Sequence, residues 1–338
     1  MPLRVPTQAD VAQRAGVSTA TVSYVLSGRR DRRNPVTAET RQRVFDAVEE
    51  LGYQRNHSAR SLRRMRTELV CVVYQPPSSP WVDRLTEQLH DAAERRGYSV
   101  VTLPLGPADR TGPALRVLRE HYVDGAIVMP EAGLPAEELQ ALARRGLALV
   151  VFHDEVAPDG FDVVRQRFAA GCRAVVEHLV DRGHRRIAHL AQQHELDDPA
   201  TSLRYASYSD VLASHGLPLD GSLVVAGADS RATAYAAATE LFSRRERPTA
   251  LFCATDRAAI NAIWAARDLG LSVPGDVAVA SVGNTGEGEV IHPGVTSAGM
   301  PVLDFTASIE LLYQRIDTPG RPGRERVEPW ELIVRNST

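Results

Sequence analysis

The sequence predicts an all-α N-terminal head carrying a helix-turn-helix, followed by an α/β body of two lobes, each a parallel, doubly wound sheet. Three observations predict it. Residues 1–52 hold three short amphipathic stretches with capping residues at their starts and glycines between or after them. From Glu68 onward, short apolar runs alternate with amphipathic stretches. The charge divides at the same place, with 13 arginines against six acids in residues 1–66, hence +7, and −10 over the remainder. There is no lysine, and the total is −3. A small basic head on a larger acidic body is the charge layout of a nucleic-acid-binding domain joined to something else.

Thr7 opens the first helix as an N-cap, with Asp10 three residues on, where a helix N-terminus favours an acid. Val11, Ala12 and Ala15 form its apolar face. Gly16 supplies a turn residue tolerant of positive φ, and Val17 packs inward. Ser18 caps the second helix, which runs from Thr19 to about Leu26 with Val22, Val25 and Leu26 buried. A third helix begins at the cap Thr37, carries Val44, Phe45, Val48 and Leu51 as its apolar set, and ends at Gly52. Two short helices joined by a glycine-containing turn place the second in the DNA major groove, its N-terminal residues facing base edges. Thr19, Ala20, Ser23 and Tyr24 lie on the outward face of that helix. Thr21 and Ser23 have hydroxyls suited to phosphate, and the first-turn amides suit an anion.

Between the second and third helices, Gly28 to Pro35 reads as an insertion whose Arg29, Arg30, Arg32 and Arg33 lie against phosphates or in solvent; the first reading adds salt-dependent affinity. Residues 55–67 form a hinge and linker between the head (1–54) and the body (68–338). Within it, Asn56 to Leu62 is too short to persist as an isolated helix.

In the body, LVCVVY (69–74), Tyr98 to Leu103, GAIVM (125–129), LALVVF (147–152), RRIAHL (185–190), SLVVA (222–226), ALFCAT (250–255) and VAVASV (277–282) read as strands with helices between them. This alternation argues for parallel sheets covered on both faces, with crevices at the C-terminal strand ends.

The run ADVAQRAGVSTATVSYVLSG resembles the N-terminal signature of the lactose-repressor (LacI/GalR) family, as do ELGYQRNHSARSL and the closing WELIVRNST. The resemblance covers essentially the whole chain. It implies a homodimer whose two heads read a pseudo-palindromic operator in double-stranded DNA, usually as a repressor. The body is then similar to a periplasmic sugar-binding protein, with a small-molecule effector between its lobes. Lobe one takes roughly 68–165 and 292–325; lobe two takes 166–291 and 326–338.

By the same resemblance, Thr19, Ala20 and Tyr24 fall on base-reading positions, Tyr24 departing from the common arginine. The hinge, with Asn56 and His57 among its DNA-binding residues, would form a helix on DNA, with Ala59 against its twin and Leu62 wedged into the minor groove or packed on the body; Arg60, Arg63, Arg64 and Arg66 would contact phosphates. Arg55 stands where the family usually has proline. Effector contacts would fall on Arg204 and Asp256, the latter alternatively an N-cap for a helix 257–269. Trp81 would stack on a ligand or pack internally, and Tyr74 and Gln75 are strand-end candidates. Arg165 or Gln166, and Asn284, stand where acids are usual, which shifts the expected ligand from a plain neutral sugar toward an anionic one. No extra C-terminal heptad helix follows, which favours the dimer over a tetramer.

No enzyme, cofactor or metal is expected. The ten histidines lack metal-ligand spacing, and the three scattered cysteines (Cys71, Cys172, Cys253) sit in apolar settings as reduced core thiols. There is no phosphate-binding loop or nucleophile elbow. GNTGEGE (283–289) reads as a loop. No apolar run follows Arg4 and none nears the ~20 residues that span a bilayer, so a cytoplasmic protein without a secretory signal or membrane partner is expected. Two rivals are a periplasmic-type solute-binding protein, which the DNA head opposes, and a DNA binder without effector control.

Overall fold

Local capping sets the three helices of the head. The computed structural model describes residues 6–27, 36–53, 66–76, 78–106, 112–328 and 330–338, in two compact units, Met1–Thr67 and Glu68–Thr338. Helix α1 (Gln8–Ala15) starts with a reciprocal box: the Asp10 amide donates to Thr7 Oγ1, and the Thr7 amide to Asp10 Oδ2 at 2.8 Å. Gly16, at φ +66°, closes it in the left-handed region, where a β-carbon would be strained. Ser18 Oγ accepts the Thr21 amide at 3.1 Å and so caps α2 (Thr19–Ser27). Thr37 caps α3 (Ala38–Leu51) in the same way. Val11, Ala12, Ala15, Val22, Val25, Val44 and Ala47 pack as the head's core.

Phe45 is a correction. Expected on the buried face of α3, it is 44% exposed. The inward stripe runs Val44, Ala47, Val48 and Leu51, at spacings of three and four, and Phe45 lies one residue, about 100°, off it.

The body contains two six-stranded sheets. The first orders its strands β11-β5-β4-β3-β1-β2, all parallel, from β1 (Leu69–Tyr74), β2 (Ser99–Pro104), β3 (Gly125–Val128), β4 (Ala148–Phe152), β5 (Asp162–Arg165) and β11 (Glu325–Val327). Helices α4 (Pro80–Arg96), α5 (Gly112–Arg119) and α6 (Ala136–Arg144) connect its strands, and α13 (Thr306–Asp317) returns to it from the far end of the chain. Alternate residues of β1 serve opposite cores: Val70 and Val72 pack with Leu85, Leu89 and Ile309, whereas Cys71 and Val73 pack with Leu118, Leu139 and Leu142. A strand buried on both faces reads as an unbroken apolar run, as LVCVV does.

The second sheet orders β12-β10-β9-β8-β6-β7, from β6 (Ile187–Ala191), β7 (Val224–Ala226), β8 (Ala250–Cys253), β9 (Ala278–Val282), β10 (Thr296–Gly299) and β12 (Glu331–Ile333). Helices α7 (Phe168–Asp181), α8 (Gln193–Asp197), α9 (Leu203–Ser214), α10 (Arg231–Phe242), α11 (Asp256–Asp268) and α12 (Gly286–Val290) accompany it. The expectation of wholly parallel sheets needs one amendment, because β12 pairs antiparallel with β10.

The lobe boundaries move as well. Ser297 pairs with Ser281, so residues 296–299 belong to the second lobe, not to the first from 292. Arg326 and Val327 pair with Val164 and Arg165 and stay in the first. Three chain passages therefore cross between the sheets: after β5, after β10 and after β11. Among the described residues no helix is long and apolar enough to cross a membrane, and no group of three or more potential ligands is placed to hold a metal.

Candidate DNA-reading helix and effector cleft

In the head, α2 has Thr19 and Ala20 exposed, with Thr21, Ser23 and Tyr24 half-buried beside them. Ala20, Ser23 and Tyr24 share a face by their three- and four-residue spacing, opposite Val22 and Val25 in the core. The Thr21 hydroxyl is shared with Ser18 Oγ at 2.8 Å, so both serve the start of the helix. Gln8 Nε2 donates to the Thr19 carbonyl at 3.2 Å, bracing α1 against the first turn of α2. Arg14 and Glu50 form an exposed pair at 2.6 Å linking α1 to α3, of the kind worth about 0–1 kcal/mol. Arg29, Arg30, Arg32 and Arg33, and the hinge residues Asn56, His57, Ala59, Arg60, Leu62, Arg63 and Arg64, lie outside the described residues.

In the body, the C-terminal strand ends of both sheets carry the polar residues. Asp154, beyond β4, holds the first crossing: its carboxylate accepts the amides of Gln166 at 2.7 Å, Arg167 at 2.9 Å and Phe168 at 2.6 Å. This places an acid at the N-terminus of α7, where the helix dipole favours it. Arg167 is left-handed there, at φ +54°. The Phe168 ring meets Trp330 edge-on at 4.8 Å, and the Arg204 guanidinium lies 4.8 Å over the same ring.

Arg204, on α9, also donates to Gln192 Oε1 at 3.3 Å and approaches Glu195 Oε1 at 3.5 Å. Glu195 is 1% exposed. Burial pushes its carboxyl up, but the Arg204 charge, the His189 ring and the Gln192 backbone outweigh that and hold it at about 2. His189 lies within the sheet, its Nδ1 at 3.1 Å from the Phe252 carbonyl and its Nε2 at 3.6 Å from Glu195, beyond a hydrogen bond.

The sequence-predicted effector residues divide. Arg204 stands at the strand ends with its Nε buried and without an acceptor among the described residues. Trp81 is 7% exposed and edge-on to Phe152 at 5.2 Å and Phe305 at 4.5 Å, so its ring packs internally, yet its Nε1 also lacks an acceptor. Tyr74 is half-buried and Gln75 exposed at the end of β1.

Three others are engaged by the protein itself. Arg165 donates to the carbonyls of Asp154 at 2.6 Å and Val156 at 3.3 Å, and pairs with Glu325 at 2.7 Å. Asn284 bridges the Met300 carbonyl and Arg335, each at 2.7 Å. Asp256 is 2% exposed, and its carboxylate accepts the hydroxyls of Ser281 and Ser297 and the amide of Thr285. Burial raises its pKa against those three hydrogen bonds. It is also not an N-cap: α11 begins at Asp256 itself, and Thr255 Oγ1 caps it by accepting the Ala258 amide at 3.1 Å.

Sequence reasoning missed Asp154, Phe168, Glu195 and Trp330, and named Gln166 only as an alternative to Arg165. Only Asp154 left a signal, as a polar residue just past an apolar strand. Across the lobes, Arg257 at the head of α11 donates to the Ser78 carbonyl at 3.0 Å. A hollow of about 210 Å3 lies within the first lobe, lined by Val128, Met129, Leu134, Leu139, Val151 and His153 among others; none of the sequence-predicted effector residues lines it. The cysteines Cys71 and Cys172 are pushed to about 12 by burial, and Cys253 well up, as inert core thiols.

A helix-turn-helix head joined to a body of two mostly parallel sheets with three crossings defines the architecture of a transcription regulator with a periplasmic-binding-protein-like body. Residues 7–56 match the family model for bacterial regulatory proteins of the lacI family, and residues 176–338 match that for a periplasmic binding protein-like domain. The chain is 31% identical to the HTH-type transcriptional repressor PurR of Erwinia tasmaniensis, across 96% of this chain and 94% of that one. It is 29% identical to catabolite control protein A of Priestia megaterium, across 88% of each. Among solved structures, it resembles the Lac repressor bound to ONPG in the repressed state (TM-score 0.74, 25% identity, 99% of this chain, 100% of that one). It also resembles the transcriptional regulator CelR in complex with cellobiose (TM-score 0.65, 27% identity, 98% and 100%). The chain belongs to the lacI family and is a DNA-binding transcriptional repressor, not an enzyme.

Proposed function

We propose that this repressor acts in the cytoplasm as a homodimer on a pseudo-palindromic operator, and that an acceptor-rich, sugar-like anion between the lobes sets its DNA affinity. A sugar phosphate or sugar acid fits this description. The observation that carries the ligand class is the imbalance of unmet groups at the strand ends. Trp81 Nε1, Gln166 Nε2, Arg204 Nε and Trp330 Nε1 are buried donors without acceptors among the described residues. Of the nearby acids, Asp154 is engaged by three amides, Glu195 lies beside Arg204, and Asp256 takes two hydroxyls and an amide; against the four donors, Glu328 Oε2 is the one buried carboxylate oxygen left unmet among the described residues. Buried donors cost free energy until an acceptor reaches them, so a ligand rich in acceptor oxygens gains more here than one rich in hydroxyl donors. The CelR structure holds cellobiose, which supports a sugar-like frame. Closure about the three crossings would transmit binding to the hinge, where Asn56, His57, Ala59, Arg60 and Leu62 would engage DNA in one lobe arrangement only.

The test is operator selection from genomic fragments by the purified protein, then operator binding against a panel of neutral sugars, sugar acids and sugar phosphates. The expected result is a two-fold symmetric site whose affinity shifts with an anionic member and not with its neutral parent. A shift with a neutral sugar alone overturns the ligand class. A second reading, DNA binding without effector control, draws on the commitment of Arg165, Asp256 and Asn284 to protein partners, and predicts a specific site that no compound shifts.

A further inference from the structure

The reading face of α2 has an unusual chemistry for a sequence reader. Helix α2, TATVSYVLS, contains no charged residue and no amide. Direct readout of guanine relies on the bidentate fork of arginine or on lysine, and readout of adenine on the paired donor and acceptor of asparagine or glutamine. Neither is available from this helix. Its exposed N-terminal turn offers the methyl groups of Thr19 and Ala20 beside the Thr19 hydroxyl, with the Ser23 hydroxyl and the Tyr24 ring on the same face further on; single hydroxyls bond any base edge and discriminate little, so the methyls are the selective groups. The neighbouring amide, Gln8, has its Nε2 on the Thr19 carbonyl, where it sets the height of that turn.

In the major groove, the base-edge group that methyl side chains complement is the thymine C5-methyl. We propose that α2 selects thymine by apolar contact of Thr19 and Ala20 with its methyl group, so that the bases under this helix are A·T pairs read through their methyls. The inference rests on α2 being the groove-reading helix of a DNA-binding repressor. It identifies what that helix reads.

The experiment uses the full chain. Double-stranded DNA from a random pool is selected on the protein, and the thymines under α2, located by hydroxyl-radical footprinting and missing-base interference, are replaced one at a time by uracil. Uracil pairs identically and lacks only the methyl group. Loss of one buried methyl is expected to weaken binding about fourfold, and replacing Ala20 with glycine should remove most of the thymine-to-uracil ratio at one position. That ratio is measured within each variant, so a less stable helix does not confound it. A specific site bound equally well with thymine or uracil overturns the inference and leaves the repressor reading standing. So does a half-site whose key bases under α2 are guanines. Failure to select any site overturns the DNA-reading conclusion, and this inference with it.

Discussion

Replacing Asp256 with alanine tests whether this acid binds a ligand or holds the second lobe together. Its carboxylate receives Ser281 from β9, Ser297 from β10 and the amide of Thr285, and these three residues are at most 5% exposed. A buried donor left unpaired costs about 1–3 kcal/mol. The Thr285 amide is held by the backbone and cannot turn away, so it is taken at about 2 kcal/mol, and each rotatable hydroxyl at about 1 kcal/mol. Relief of the desolvated carboxylate, whose pKa burial raises, offsets part of that loss. The net loss is about 3 kcal/mol, which for a unit of this size lowers Tm by roughly 6–12 °C. The assay is thermal unfolding of the full chain followed by circular dichroism, with Thr255→Ala alongside as a cap variant expected to cost about 1 kcal/mol. An Asp256→Ala protein that melts within about 2 °C of its parent yet loses its effector response would refute the structural role and restore Asp256 as a ligand contact.

Glu195 provides a pH dependence. Its carboxyl is held at about 2, below its ordinary value, so its stabilisation is present above pH about 4.5 and is lost as pH falls toward 2, on the order of 3 kcal/mol in all. Acid unfolding of Glu195→Gln should lack that part of the slope, and identical acid profiles for parent and variant would contradict it. Asp154→Asn replaces an acceptor oxygen with a donor facing backbone amides. Hydrogen exchange at Gln166, Arg167 and Phe168 should then accelerate on the order of tenfold or more, and unchanged protection would place the anchoring of α7 elsewhere. Leu62→Ala should weaken operator binding strongly while leaving effector affinity in the body nearly intact; equal operator affinity would sink the proposed hinge wedge.

What the sequence determined by itself is what neighbouring residues decide. Thr7, Ser18 and Thr37 cap helices because each hydroxyl meets an amide three residues on. Gly16 and Gly52 end helices because glycine enters the left-handed region at no steric cost. The strands LVCVV and ALFC announce themselves because a strand covered on both faces is apolar throughout. The outward face of α2 was legible for the same reason, since helical spacing alone separates Ala20 and Tyr24 from Val22 and Val25. Tertiary structure decided the rest. Strands β10 and β11, TSAG and ERV, carry no apolar run and exist because a neighbouring strand completes their hydrogen bonds. Asp256 looked equally suited to a ligand or a cap, and its partners lie 25 to 41 residues away in the chain. Asp154, Gln166, Phe168 and Trp330 come together only where the chain crosses between lobes. A buried polar group must be satisfied by whatever the fold brings within about 3 Å, and for the carboxylates of Asp154 and Asp256 the fold, not the adjacent sequence, supplies it.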